Sequence, residues 1–220
     1  MSRAVSSRRA RPGSFASDEP GREPLQSDGM KHRHRRLPAA ALVVAACLSL
    51  SACEPAGKAV GDTHETEPKV AHIGEIRSDV TVGLIGSTSP DLDRMALDQL
   101  DAADLSAVYV ATTDTDDPTA AACQGVADLI ERRASIIVIS GIDVTEANAD
   151  AWDQALHAAR SAGFPVALLA PVAPPADESL YAATLTVNDR AATSVPLDQA
   201  LMTIIDDRPH ERNLMVSTLH

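Results

Sequence analysis

Four short apolar runs, each followed by a segment of helical periodicity, constrain this chain more than any other feature. Val80–Ile85, Ala107–Ala111, Ile136–Ile139 and Val166–Leu169 are too short for helices and lack alternating polar positions, the pattern of strands buried on both faces. Between them, Leu92, Met95, Ala96, Leu100 and Ala103 form one stripe at helical spacing, and Cys123, Val126, Ala127 and Ile130 form a second. A third helix is predicted over about Thr145–Ala162, with Thr145 as N-cap and Ala151, Trp152, Ala155 and Ala159 facing inward; Gly163 and Pro165 end it. Strands alternating with helices are joined by right-handed crossovers, so the expected fold class is α/β, a Rossmann-like parallel sheet with helices on both faces. Leu185–Asn188 and Leu214–Ser217 are expected to add strands, with a helix near Leu197–Ile205, because Pro196 bars a continuous helix from Asp189.

This lobe, residues 79–220, does not account for the whole chain. Residues 1–29 are polar and without apolar periodicity, and read as a disordered upstream extension. Residues 30–52 have the layout of an export signal: a basic stretch, Met30–Arg36, then an apolar run, Leu37–Leu50, too short to span a bilayer as a mature helix. The run closes on Leu50-Ser51-Ala52-Cys53, which resembles the bacterial lipoprotein lipobox. The resemblance implies that Cys53 is the lipidation site and that the protein is lipid-anchored on the extracytoplasmic side of the cell membrane. Residues 53–78 contain Pro55, Gly57, Gly61 and Pro68 without a helical or strand period, and are expected to be a flexible tether. As a free coil, its stretch Glu54–Glu75 of about 22 residues would span roughly 25 Å.

Charge narrows the function. The net charge of -12 becomes -17 once the first 52 residues, with nine Lys or Arg and four Asp or Glu, are set aside. So acidic a chain offers no surface for a nucleic-acid backbone, and no nucleic-acid partner is expected. Aromatic residues at 2% argue against a carbohydrate platform of several stacked rings.

The order Val82–Ile85, then Gln124–Ile130, then Ile136–Asp143, then Ala155–Val166 with its Ala162-Gly163-Phe164-Pro165-Val166 ending, is similar to the N-terminal lobe of type I periplasmic sugar-binding proteins. The likeness covers about Asp79–Asp189. It implies one lobe of a two-lobed clamp and a small-molecule solute, possibly a sugar, delivered to an ABC permease. It departs from the family at Ser89-Pro90-Asp91-Leu92, where an aromatic residue is usual, and at Ala170-Pro171-Val172, where an acidic one is. Because the resemblance stops at the first lobe, the expectation is a truncated product, a divergent single-lobe protein, or a partner that supplies the facing surface.

Open α/β sheets bind ligands at the carboxyl ends of their strands. That rule makes Ser87, Thr88 and Asp91 candidates after the first strand, Asp114 after the second, Asp143 after the third, and Asn188 and Asp189 after the fifth. Their carboxylates, amide and hydroxyls suit the hydroxyl groups of a sugar. Each also has a structural reading as a helix cap or turn; Asp143 and Thr145 can start their helix, and Asp116-Asp117-Pro118 resembles a helix entry. No nucleophile elbow, phosphate loop or dinucleotide fingerprint is present, so neither enzyme chemistry nor a cofactor is expected. Asp114, Asp116 and Asp117 read as loop charges rather than a metal site, and Cys123 as a small buried hydrophobe. A membrane-anchored solute-binding lipoprotein is the leading expectation. The alternative is a surface interaction or structural lipoprotein that keeps one lobe without binding a small molecule.

Overall fold

A computed structural model describes residues 57–63 and 74–219; Cys53, the export signal and the upstream extension lie outside the described residues. The strands are β1 (Thr81–Ile85), β2 (Ser106–Val110), β3 (Ile136–Ser140), β4 (Val166–Leu169), β5 (Ala183–Val187), β6 (Val195–Pro196) and β7 (Asn213–Ser217). Helices α1 (Pro90–Ala102), α2 (Pro118–Glu131), α3 (Ala149–Ser161) and α4 (Leu197–Ile205) connect them. All seven strands form one parallel sheet in the order β2-β1-β3-β4-β5-β7-β6.

The fold is therefore α/β with both faces of the sheet covered. The two-residue period of each strand sorts its side chains between two cores. Val82, Leu84, Ile136 and Val138 pack with Ala96 and Leu100 of α1 and Leu197 and Leu201 of α4. Ile85, Ile137 and Ile139 pack on the other face with Val126 and Leu129 of α2 and Leu156 and Ala159 of α3. Burying each of the larger side chains contributes about 1.5–3 kcal/mol.

Helix starts follow the sequence closely. Pro90 and Pro118 each open a helix, where the missing N–H has no partner to lose, and the Asp117 carboxylate caps α2 by accepting from the Ala120 N–H at 2.9 Å. Thr145 does not cap α3, contrary to expectation. Asn148 holds residues 143–148 in a turn: its amide oxygen accepts the Thr145 N–H at 2.7 Å, its Nδ2 donates to the Asp143 carbonyl at 3.0 Å, and the helix starts one residue later.

Two expected stripes are rotated. On α2 the buried positions are Ala122, Gly125, Val126 and Leu129, while Ala127 is exposed and Cys123 and Ile130 are partly buried. On α1 Met95 is exposed, and on α3 so is Ala151. Strand β2 is not buried on both faces as its composition suggested, because among the described residues it has β1 on one side and no neighbouring strand on the other.

The four α-helices of the described residues end alike. Asp104, Arg133, Gly163 and Asp207 adopt positive φ, and the following N–H reaches back to Leu100, Leu129, Ala159 and Thr203 respectively. This is the Schellman closure, which satisfies carbonyls that the last turn leaves open. Residues 57–63, inside the expected tether, also depart from expectation. They lie against the domain, with Ala59 and Asp62 buried.

Candidate functional site

The sheet order places the site. The chain leaves β1 through α1 on one face of the sheet and leaves β3 through α3 on the opposite face, so the loops after β1 and β3 diverge. Such a switch point opens a crevice at the carboxyl ends of the two strands. Here it holds a cavity of about 230 Å³, walled by the ends of β1 and β3 and by the first turns of α2 and α3. At about 30 Å³ per water, that is room for roughly seven waters or one small solute.

The wall is built from fixed loops. After β1, the buried Asp93 carboxylate accepts from the Ser87 N–H at 2.8 Å, the Ser87 hydroxyl at 3.0 Å and the Tyr109 hydroxyl at 3.1 Å. Burial, and then the charge of Asp93, pushes the Tyr109 hydroxyl pKa up. Thr112 closes the same corner by donating to the Gly86 carbonyl at 3.0 Å. After β3, Gly141 takes φ 59° with its missing Cβ only 2.8 Å from the Ser87 Cβ, so a side chain there would be both strained and blocked.

Three of the seven candidate residues line this cavity: Ser87, Thr88 and Asp143. Asp143 is the one ionisable side chain in the lining, and the hydroxyls of Thr112, Thr119 and Thr145 and the amide of Asn148 make the rest of the polar wall. The other four candidates lie elsewhere. Asp91 pairs with Arg94 on the surface of α1, and Asp114 is exposed in the loop after β2. Asn188 accepts the Arg190 N–H in its own turn. Asp189 accepts from the Ser217 hydroxyl and from both the N–H and hydroxyl of Thr218, tying the loop after β5 to the end of β7. Desolvation raises its carboxyl pKa, but those donors and the Leu219 N–H outweigh it and hold the value below the usual range.

Two residues that sequence reasoning did not place at the site contribute its most telling atoms. Ser140 and Trp152 are 3% and 5% exposed, both line the cavity, and neither the Ser140 hydroxyl nor the Trp152 indole N–H has a hydrogen-bond partner among the described residues. A buried polar group without a partner is costly, on the order of 1–3 kcal/mol. The sequence held one signal for it: Ser140 is a polar residue closing an otherwise apolar strand, directly before a glycine.

Among the described residues, no group of three or more His, Cys, Asp or Glu side chains could hold a metal ion, and no helix is long and apolar enough to cross a membrane. Cys123 is partly buried, and desolvation followed by the charge of Asp117 pushes its thiol pKa up, which disfavours a nucleophilic thiolate.

No family model and no curated protein matches the chain. Solved structures with a similar trace include an ABC sugar transporter subunit from Rhodobacter sphaeroides 2.4.1, at 16% identity over 50% of this chain and 36% of that one, TM-score 0.38. A periplasmic sugar-binding protein from Legionella pneumophila matches at 19% identity over 50% of this chain and 40% of that one, TM-score 0.40. A Mycobacterium smegmatis protein in complex with β-D-fucofuranose matches at 15% identity over 63% and 54%, TM-score 0.41. The chain thus spans well under half the length of the first two. The sheet order and the cavity carry the functional reading.

Proposed function

We propose that this chain is a membrane-anchored solute-binding lipoprotein of a sugar uptake system of the ABC type, with the cavity between β1 and β3 as its small-molecule site. The observation that carries the reading is the pair of buried donors, Ser140 and Trp152, without a partner in the same hydroxyl-lined pocket. A neutral polyhydroxylated solute supplies what they lack. Its hydroxyls would accept from Ser140 and the indole once those side chains turn toward the cavity, and would donate to Asp143 and the Asn148 amide. Binding without chemistry fits a wall with one carboxylate and no paired acid and base. Membrane attachment rests on the Leu50–Cys53 segment, whose thiol would carry the lipid, and the ABC permease is the partner that would receive the solute.

The test is a thermal-shift screen of monosaccharides and polyols on the chain starting at Cys53, read together with the fluorescence of Trp152, the single tryptophan. A ligand at a hundred times its Kd adds about 2.7 kcal/mol, several degrees in melting temperature. A hit that also changes Trp152 emission supports the site. If no sugar or polyol stabilises the protein, solute binding is wrong and the interaction-module reading stands. One observation favours that second reading: among the described residues the outer edge of β2 has no partner strand, and Tyr109 of that strand is exposed.

A further inference from the structure

All the strands run the same way, so the domain has two unlike rims: strand carboxyl ends, with the cavity, and strand amino ends. Residues 57–63 are seated on the second rim. Gly61 takes φ 77°, and a Cβ there would meet the Ile204 methyl at 2.9 Å and the Pro165 ring at 3.1 Å. Asp62 forms an ion pair with Arg212, just before β7, and that guanidinium also donates to the Glu178 and Tyr181 carbonyls ahead of β5. His210 donates its N–H to the Thr63 carbonyl at 2.9 Å and places Nε2 2.7 Å from the Gly61 carbonyl. Arg160, in the last turn of α3, donates to the Lys58 carbonyl at 3.1 Å. Each anchor belongs to a helix end or strand start on that rim.

We infer that residues 57–63 are a clasp that holds the amino-end rim against the membrane and turns the solute cavity away from it. The inference rests on the lipoprotein reading, since it needs the lipid at Cys53. From Cys53 to Gly57 the chain can span at most about 14 Å, against roughly 25 Å for an unclasped coil. The cavity then stands about one strand length, roughly 17 Å, beyond the clasped rim.

Charge distribution favours the same pose. Of the nine described Lys and Arg residues, seven (Lys58, Arg77, Arg132, Arg133, Arg160, Arg208 and Arg212) sit on the clasped rim, where Asp and Glu still outnumber them. The far rim has fewer cations, Arg94 and Arg190, against Asp91, Asp93, Asp114, Asp116, Asp117, Asp143, Glu146, Asp150 and Asp189. Contact with anionic headgroups is less unfavourable at the first rim than at the second.

The experiment uses the acylated chain in phosphatidylglycerol–phosphatidylethanolamine vesicles carrying a dansyl lipid, with Trp152 as energy donor. Weak transfer is expected in the native chain, and at least a twofold increase in Gly61→Val, which cannot seat the clasp. Ala59→Asp, which puts a charge in the clasp's buried apolar position, is expected to act the same way. Equal transfer in native and variant chains, or strong transfer in the native one, overturns the orientation. Hydrogen exchange on the unacylated chain tests the clasp separately. The His210 amide should exchange at least tenfold more slowly in the native chain than in either variant, with β3 amides unchanged as the control for folding; fast His210 exchange in the native chain overturns the clasp. Membrane attachment that survives Cys53→Ala sinks the lipoprotein reading while leaving the His210 result standing.

Discussion

Gln99 on α1 and Asp198 on α4 exchange two hydrogen bonds: the Gln99 amide donates to the carboxylate at 2.7 Å, and the Asp198 N–H returns one to the Gln99 amide oxygen at 3.2 Å. Both residues are buried, and Arg77 forms an ion pair with the same carboxylate. This pair joins the first and last helices across one face of the sheet. Replacing Gln99 by Leu strands both an N–H and a carboxylate oxygen, at a cost of about 2–3 kcal/mol in urea denaturation. Arg77→Ala should cost less than about 1 kcal/mol, because that side chain is 42% exposed and screened by solvent.

Ser140→Ala separates a binding role from a structural one. Removing a buried hydroxyl that has no partner should raise the stability of the unliganded protein by about 1 kcal/mol. The same change should weaken solute binding about tenfold, the equivalent of about 1.4 kcal/mol. Chemical denaturation and titration calorimetry read the two effects. A loss of stability instead would mean that the hydroxyl supports the fold.

Arg133 closes α2 in a conformation that suits glycine. Arg133→Gly should stabilise the protein by about 0.5–1 kcal/mol, the left-handed penalty less the entropy of the added glycine. The comparison is with Gly163→Ala, which should destabilise by a similar amount at the equivalent position of α3. Urea midpoints for the two variants should move in opposite directions.

Asp189 supplies an acid-side dependence. Its folded pKa lies below the ordinary value, so its contribution to stability is present above the unfolded value of about 3.9 and is lost as the pH falls through the lower folded value. Native and Asp189→Asn chains should therefore differ by a constant amount between pH 5 and pH 7, by order of magnitude of the window. The gap should close below about pH 4. A gap unchanged at low pH would show that the carboxylate charge is not what ties the loop to β7.

How much the sequence shows depends on whether a residue's role is local. Pro118 and Gly163 mark helix boundaries through their own backbone limits, and those boundaries hold. Asp104, Arg133 and Asp207 make the same left-handed turn as Gly163 without its signature, so the other three helix ends carry no comparable mark. Alternating strands and helices fix the layers, but which strand lies at an edge depends on sheet order, and a run such as Ala107–Ala111 contains no trace of that. Ser87, Thr88 and Asp143 line the cavity where the strand-end rule alone puts them. Asp189 obeys the same rule, yet three donors from Ser217 and Thr218, distant in sequence, occupy it. Trp152 reads as core because one face of its ring is core; its place in the cavity depends on where α3 starts, which Asn148 sets by holding the preceding turn.

A sheet whose strands are all parallel has a polarity, and the proposed orientation would divide the domain's labour along it. In the proposed orientation, loops on the solvent-facing rim could lengthen or change chemistry without disturbing the attachment below, so ligand preference could drift between relatives while the mounting stays constant. A search for such relatives should accordingly weigh the Ala59–Thr63 seat and its Arg212 and His210 anchors above the residues that face the solute.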